Sequence, residues 1–157
     1  MIVLAQITAL LGILGVGLVW GTDAFCALVQ RPALARVTDA SLTTVMGNVH
    51  RYGDQRMPVP GAVGLVGSLA TAVLAAVSGH AAAATTAGAS LVLLVVWLML
   101  YTRVSAPINR ALTAAADRSE TPGNARDLQA GWDNIIVLRA SLQGLALLAL
   151  GVTLVLL

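Results

Sequence analysis

The sequence predicts an all-α fold: a four-transmembrane-helix bundle with a short interfacial helix between helices one and two. Three observations carry that expectation. Every formal charge falls within residues 23–56 or 103–139, so residues 1–22, 57–102 and 140–157 contain no Asp, Glu, Lys or Arg. The composition is 58% hydrophobic and only 10% charged, far below the ~25% charged of an ordinary soluble domain. Mean hydropathy is +0.87. Charge-free apolar blocks of this size belong in a bilayer, whose hydrocarbon core takes ~20 apolar residues per helix. The 157 residues are expected to form one membrane-embedded domain, 1–157.

The elements follow in order. Ile2–Gly21 supplies the first span. No basic region precedes it and it is too long for a signal core, so no cleavable signal is expected. Thr38 or Asp39 can then cap a short helix whose Leu42, Val45, Met46 and Val49 make an apolar face, lying along the membrane interface and ending near Gly53 or Pro58. Val59–Gly79 is the second span, closed by the uncharged turn Ser78-Gly79-His80. Ala87–Thr102 is the third, with Ala82–Thr86 as its outer turn. Pro107–Asp117 extends it beyond the membrane until the break at Thr121-Pro122-Gly123-Asn124. A last helix starts near Asp127 and crosses as Ser141–Leu157.

Arginine sets the orientation. The two connecting segments carry four and five Arg, and the N-terminus, the turn near His80 and the C-terminus carry none. The positive-inside rule puts both segments in the cytoplasm and both termini outside. The chain is thus expected in the cytoplasmic membrane, with membrane lipid as its surroundings. Helix packing should use small residues: Gly17 and Gly21 form a GxxxG pair, and Ser68, Thr71, Ala75 and Ser78 share one face of the second span. These make no continuous polar stripe, which counts against a channel.

Several function classes are excluded. Nine Arg against seven acids, with no Lys, is no nucleic-acid footprint. No Walker loop, dinucleotide fingerprint, CxxC or nucleophile elbow is present. The single Cys26 rules out an intrachain disulfide and is expected to be a small packed residue. The metal-ligand inventory is thin, since His50 and Asp54 stand together but His80 is at the opposite face. No metal is therefore expected. GxxxG packing serves contacts within and between chains, so the oligomeric state is left open.

The ionisable residues that could do chemistry gather at the charged end. Asp23 precedes Arg31 by eight residues, so it should lie about 12 Å deeper along a helix. At that depth a carboxylate must be paired, solvated or protonated. It reads either as the partner of an Arg on another helix or as an orienting group or base in a pocket, and Cys26, Ala27 and Gln30 share its face. Arg139 opens the last charge-free block, with Trp132, Ile136 and Gln143 on its face. It reads as a snorkelling interfacial Arg or as a guanidinium that holds an oxyanion in a water-poor site. His50 and Asp54, four apart, can place a carboxylate beside an imidazole and raise its basicity; a solvated loop is the competing reading. Asn109 follows Ser105-Ala106-Pro107 and reads as a local cap or a neutral donor and acceptor. Tyr52, Tyr101 and Trp97 are expected in the aromatic belt and inner packing.

Four stretches resemble the anthrone oxygenase-like family of small four-helix membrane proteins: GTDAFCALVQRP from Gly21 to Pro32, GDQRMP from Gly53 to Pro58, APINRAL from Ala106 to Leu112, and WDNIIVLR from Trp132 to Arg139. The resemblance spans almost the whole chain. It implies that Asn109, Trp132 and Arg139 line the site. Family members commonly carry His four residues after the Trp, where this chain has Ile136, and His50 is the obvious substitute. The resemblance further implies an oxygenase that needs no cofactor, takes dioxygen as co-substrate and oxidises a lipophilic aromatic or polyketide-type small molecule. His50 would be the base, oriented by Asp54 or Asp23, with Arg139 at the oxyanion and Asn109, Trp132, Gln30 and Tyr52 around the substrate. Two other classes stay open: a non-oxidative isomerase or cyclase in the same pocket, and a non-enzymatic lipophile-binding protein or membrane subunit.

Overall fold

A computed structural model describes residues 1–157. Five helices account for nearly all of it: α1 (Ile2–Leu34), α2 (Asp39–Arg56), α3 (Pro58–Val77), α4 (Ala81–Asp117) and α5 (Ala125–Leu156). All but α2 are long and apolar enough to cross a membrane, so the chain is an integral membrane helical bundle. The neighbours run α1, α3, α4, α5 and back to α1.

The bundle is built for lipid. Long side chains such as Leu14, Leu148 and Val155 point outward, while Ala5, Ala9, Ser68, Thr71, Ser90 and Thr153 are buried. Three hydroxyl pairs tie successive neighbours: Thr8–Thr71 at 2.9 Å, Ser68–Ser90 at 3.2 Å and Thr86–Thr153 at 2.8 Å. Small residues allow this approach, because lipid offers no hydrophobic drive between helices. The pair doing so differs from the one expected. A Cβ on Gly21 would meet nothing within 4 Å, and one on Gly17 only Leu147 at 4.0 Å. The close seam is α1 against α3, where a Cβ on Gly15 would sit 2.8 Å from the Gly64 nitrogen and one on Gly67 2.7 Å from the Gly12 Cα. GxxxG spacing marks a helix that can pack closely but not which face does so.

The helix ends follow local chemistry. Thr38 caps α2 by accepting from the Ser41 N–H at 3.3 Å. Gly79, at φ +80, closes α3: the His80 N–H reaches back to the Ala75 carbonyl at 2.9 Å, the Schellman pattern that favours glycine. Arg118 and Ser119 end α4, Ser119 at φ 54, a few residues before the expected break, and α5 begins at Ala125.

The second helix packs one of its faces against protein. It runs 18 residues, and of its four expected apolar positions only Leu42 and Met46 are buried, with Val45 and Val49 exposed. Leu42 and Met46 pack with Leu34, Leu112 and Ala125 in a core of their own, outside the bundle proper. The α2 backbone lies against the extension of α4: Thr113 Oγ1 donates to the Gly47 carbonyl at 3.1 Å, and a Cβ on Gly47 would stand 2.6 Å from the Leu112 carbonyl oxygen. Arg126 pins the turn before α2, donating to Asp39 Oδ1 at 2.7 Å, to the Leu34 carbonyl at 2.9 Å and to the Val37 carbonyl. Gly47→Val is expected to cost roughly 1–3 kcal/mol, as overpacking does. Gly21→Ala is expected to be neutral or slightly stabilising in thermal unfolding of the detergent-solubilised protein.

Two π-turns interrupt the long helices, at Cys26–Gln30 in α1 and Tyr101–Ser105 in α4. Each ends two residues before a proline, Pro32 and Pro107. A proline ring clashes with the carbonyl four residues back, here that of Leu28 or Arg103, both inside the π-turns. The wider turn makes room for the ring without breaking the helix. Such bulges cluster at functional sites, and both of these flank the cavity described next.

Candidate functional site

Near the charged end, α1, α3, α4 and α5 part around a cavity of about 270 Å³, roofed by α2. Asp23, His50, Asp54, Asn109, Trp132 and Arg139 all line it, although they come from four helices. Trp97 and Tyr101 of α4 line it as well.

Arg139 and Asp23 form a buried ion pair at 2.9 Å, each side chain only 6% exposed. Arg139 also donates to Asp23 Oδ1 at 3.0 Å and to Ser105 Oγ at 2.6 Å, and Gln143 Nε2 donates to Asp23 Oδ2 at 2.8 Å. The guanidinium stands 5.6 Å from the Tyr101 ring centre and 5.7 Å from that of Trp132, within cation–π range. The paired-Arg and pocket readings of Asp23 therefore coincide in one arrangement. Arg139 Nε remains without a partner, as does the indole N–H of Trp132.

His50 sits against Trp132, ring centres 5.6 Å apart and planes at 50°. It is 4% exposed, and its Nε2 has no hydrogen-bond partner. Burial pushes the imidazole down from 6.5 to about 4; the Asp54 carboxylate opposes this and Arg139 adds to it. The ring is thus neutral near pH 7, with a nitrogen free to accept a proton.

Neither carboxylate orients this imidazole. Asp54 Oδ1 accepts from Tyr101 Oη and from Asn109 Nδ2, both at 2.8 Å, and Asp23 is held by Arg139 and Gln143. Spacing of four put Asp54 near His50, but α4 offers two better-placed donors. The consequence falls on Asn109: with its amide N–H₂ turned to Asp54, its Oδ1 is buried without a donor. Asn109 is no helix cap here.

Two expected substrate contacts lie elsewhere. Gln30 does not line the cavity; its Nε2 donates to Met46 Sδ at 3.3 Å. The π-turn adds a residue to that turn of α1 and rotates Gln30 off the face it would share with Asp23. Tyr52 is 50% exposed, with Arg56 over its ring at 5.1 Å. The inward face of α2 is Met46, His50 and Asp54, at steps of four, which leaves Tyr52 pointing away. Ile136 is fully buried behind Trp132 in a cluster with Cys26. Ser105 and Tyr101 were not assigned to the site from sequence; the signal was the proline two residues after Ser105.

No three His, Cys, Asp or Glu side chains come together as a ligand set. No family model, curated protein or solved structure matches the chain, so the residues themselves carry the functional argument.

Proposed function

We propose that the protein is a membrane-embedded, cofactor-independent oxygenase that oxidises a lipophilic aromatic of the anthrone type with dioxygen. One observation carries the reading: His50, whose neutral imidazole has an unpartnered nitrogen, and Trp97, Trp132 and Arg139, each with an unpartnered N–H, all belong to the wall of one largely apolar cavity. That set suits a molecule that must lose a carbon-bound proton and place the resulting charge on oxygen.

His50 Nε2 takes the benzylic proton, and the carbanion delocalises into an aromatic oxyanion that meets the N–H groups of Arg139 and Trp132. The imidazolium, costly alone in this burial, forms beside that anion. One electron passes to dioxygen, the two radicals join through a new C–O bond, and the peroxide takes a proton back from His50. Loss of water leaves a carbonyl, so a CH₂ and O₂ become C=O and H₂O. Because Arg139 already faces Asp23, it acts as a hydrogen-bond donor within a neutral pair more than as a free cation. Asn109 Oδ1 receives a substrate hydroxyl. The protein lies in the cytoplasmic membrane with its charged end in the cytoplasm, where nine Arg favour it.

The test is oxygen uptake by the detergent-purified protein with a simple anthrone, against His50→Gln. Protein-dependent uptake that the variant lacks supports the oxygenase. Equal uptake by both removes His50 as base, and product formed without oxygen consumption points to an isomerase or cyclase. A second reading draws on the Asp23–Arg139 pair, whose mutual satisfaction suits a lipophile-binding protein with no turnover. Saturable anthrone binding without uptake would favour it.

A further inference from the structure

We propose that the cavity opens sideways into the bilayer between α3 and α4, and that it holds the polar head of an amphiphile whose apolar tail stays in lipid. This deepens the reading above and rests on it only for the identity of the cavity. Cavity walls normally shield their residues, but Pro58 and Ala62 of α3 and Leu98 of α4 both line the space and are exposed at the molecular surface. All three are apolar. Ala62 lies four residues and about 6 Å into α3 from Pro58, and Leu98 five residues and about 7.5 Å before Arg103 on α4, so the rim runs inward from the charged end at Pro58. Its inner part, at Ala62 and Leu98, faces acyl chains.

Two other lining residues, Thr22 of α1 and Val49 of α2, are also exposed, so the cavity has a second exposed edge on the α1 and α2 side, away from the α3–α4 rim. The α1–α3 seam is sealed by the glycine contacts of Gly12, Gly15, Gly64 and Gly67, and Thr22 Oγ1 reaches Met57 Sδ at 3.9 Å across its charged end. The water side carries α2, tied to α4 by Tyr101 and Asn109 on Asp54 and by the separate core around Leu42 and Met46. The α3–α4 seam is held instead by Ser68 on Ser90, eight residues and about 12 Å from Leu98. Below that tie no hydrogen bond joins the two helices, and their approach rests on the Trp97 ring edge, 3.4 Å from where a Cβ on Gly61 would sit.

Size and polarity fix what enters. About 270 Å³ falls under the ~300–1,000 Å³ of pockets that enclose a drug-sized ligand. The unpartnered polar atoms of the lining residues, His50 Nε2, Trp97 Nε1, Asn109 Oδ1, Trp132 Nε1 and Arg139 Nε, belong to side chains at least nine-tenths buried. A ligand with hydroxyl and carbonyl oxygens at one end satisfies them. A hydrocarbon tail leaving past Ala62 then costs nothing in cavity volume.

Cys26 lines the cavity and is the chain's single cysteine, so it reports access without regard to turnover. The experiment reconstitutes the full chain in phosphatidylcholine vesicles and compares its alkylation by N-ethylmaleimide, N-dodecylmaleimide and a sulfonated, membrane-impermeant maleimide. Rates are normalised to the reagent concentration in bilayer or water. Dodecyl reagent should label at least as fast as ethyl, and the sulfonated reagent at least tenfold more slowly from either side. Ala62→Trp should slow dodecyl labelling at least tenfold, while Val66→Trp, on the lipid face outside the cavity, should not. Three results would overturn the proposal: sulfonated labelling at the ethyl rate, ethyl labelling with the dodecyl reagent excluded, or no labelling of the folded protein by any reagent. Loss of anthrone turnover with this labelling pattern intact would sink the oxygenase and keep the portal.

Discussion

Arg139→Ala is expected to destabilise the protein by about 3–5 kcal/mol, the range for removing one partner of a buried ion pair. Asp23 would keep only the Gln143 amide, with its charge still enclosed among helices. Asp23→Asn should cost a comparable amount for the converse reason. The double variant Asp23→Asn with Arg139→Gln should recover much of the loss, since two neutral amides can share the same space. A double-mutant cycle on thermal unfolding in detergent reads this as coupling. Additive single losses would show that the pair contributes little. The exposed Arg118–Glu120 pair, at 2.8 Å with both side chains 60% exposed, should show no such coupling. Inactivity of Arg139→Ala alone therefore says little about chemistry, and His50 is the better probe.

His50→Gln is expected to lower turnover by about 10²–10⁴-fold, the usual contribution of a general base, while leaving anthrone binding within a few-fold. Glutamine keeps a polar side chain of similar reach but cannot take the proton. The pH dependence gives a second, independent readout. The folded imidazole titrates at about 4, below the ordinary 6.5. Between those values the unfolded chain binds a proton that the folded protein refuses, so stability falls as the pH drops from 6.5 towards 4 and levels off below. The full loss is about 3 kcal/mol, at 1.36 kcal/mol per unit. His50→Gln should remove that component, seen as a smaller difference between melting temperatures at pH 7 and pH 5. As far as His50 governs it, kcat/KM of the wild type should stay flat from pH 8 to about 5. An inflection near 6.5 would mean that the imidazole is solvated.

Much of the architecture was legible because lipid makes it so. Three charge-free blocks, a thin charged band and the Ser78-Gly79-His80 turn that divides the middle block are one-dimensional features with one-dimensional consequences. The helix over Asp39–Arg56 was readable from its Thr38 cap, but not its partner. Leu42 and Met46 would look the same facing lipid as they do facing Leu112. The prolines at 32 and 107 announced a disturbance in each long helix; that the helices would widen into π-turns instead of stopping depended on the packing that keeps them continuous.

By itself, the sequence determined that this chain crosses a membrane four times, that its charges collect at one end, and that Asp23 lies deep enough to need a partner, solvent or a proton. Hydropathy and the cost of buried charge are local properties, and they leave few alternatives. Only the tertiary structure decided who meets whom. It brought Asp23 to Arg139 across 116 positions and gave Asp54 to Tyr101 and Asn109 instead of to His50. It also turned Gln30 and Tyr52 away from the cavity and chose Gly12, Gly15, Gly64 and Gly67 over the Gly17–Gly21 pair for the tight seam. The physical reason is the same in each case: helical spacing fixes which residues share a face, and the rotation of that face towards a neighbour is set by the packing of the whole bundle.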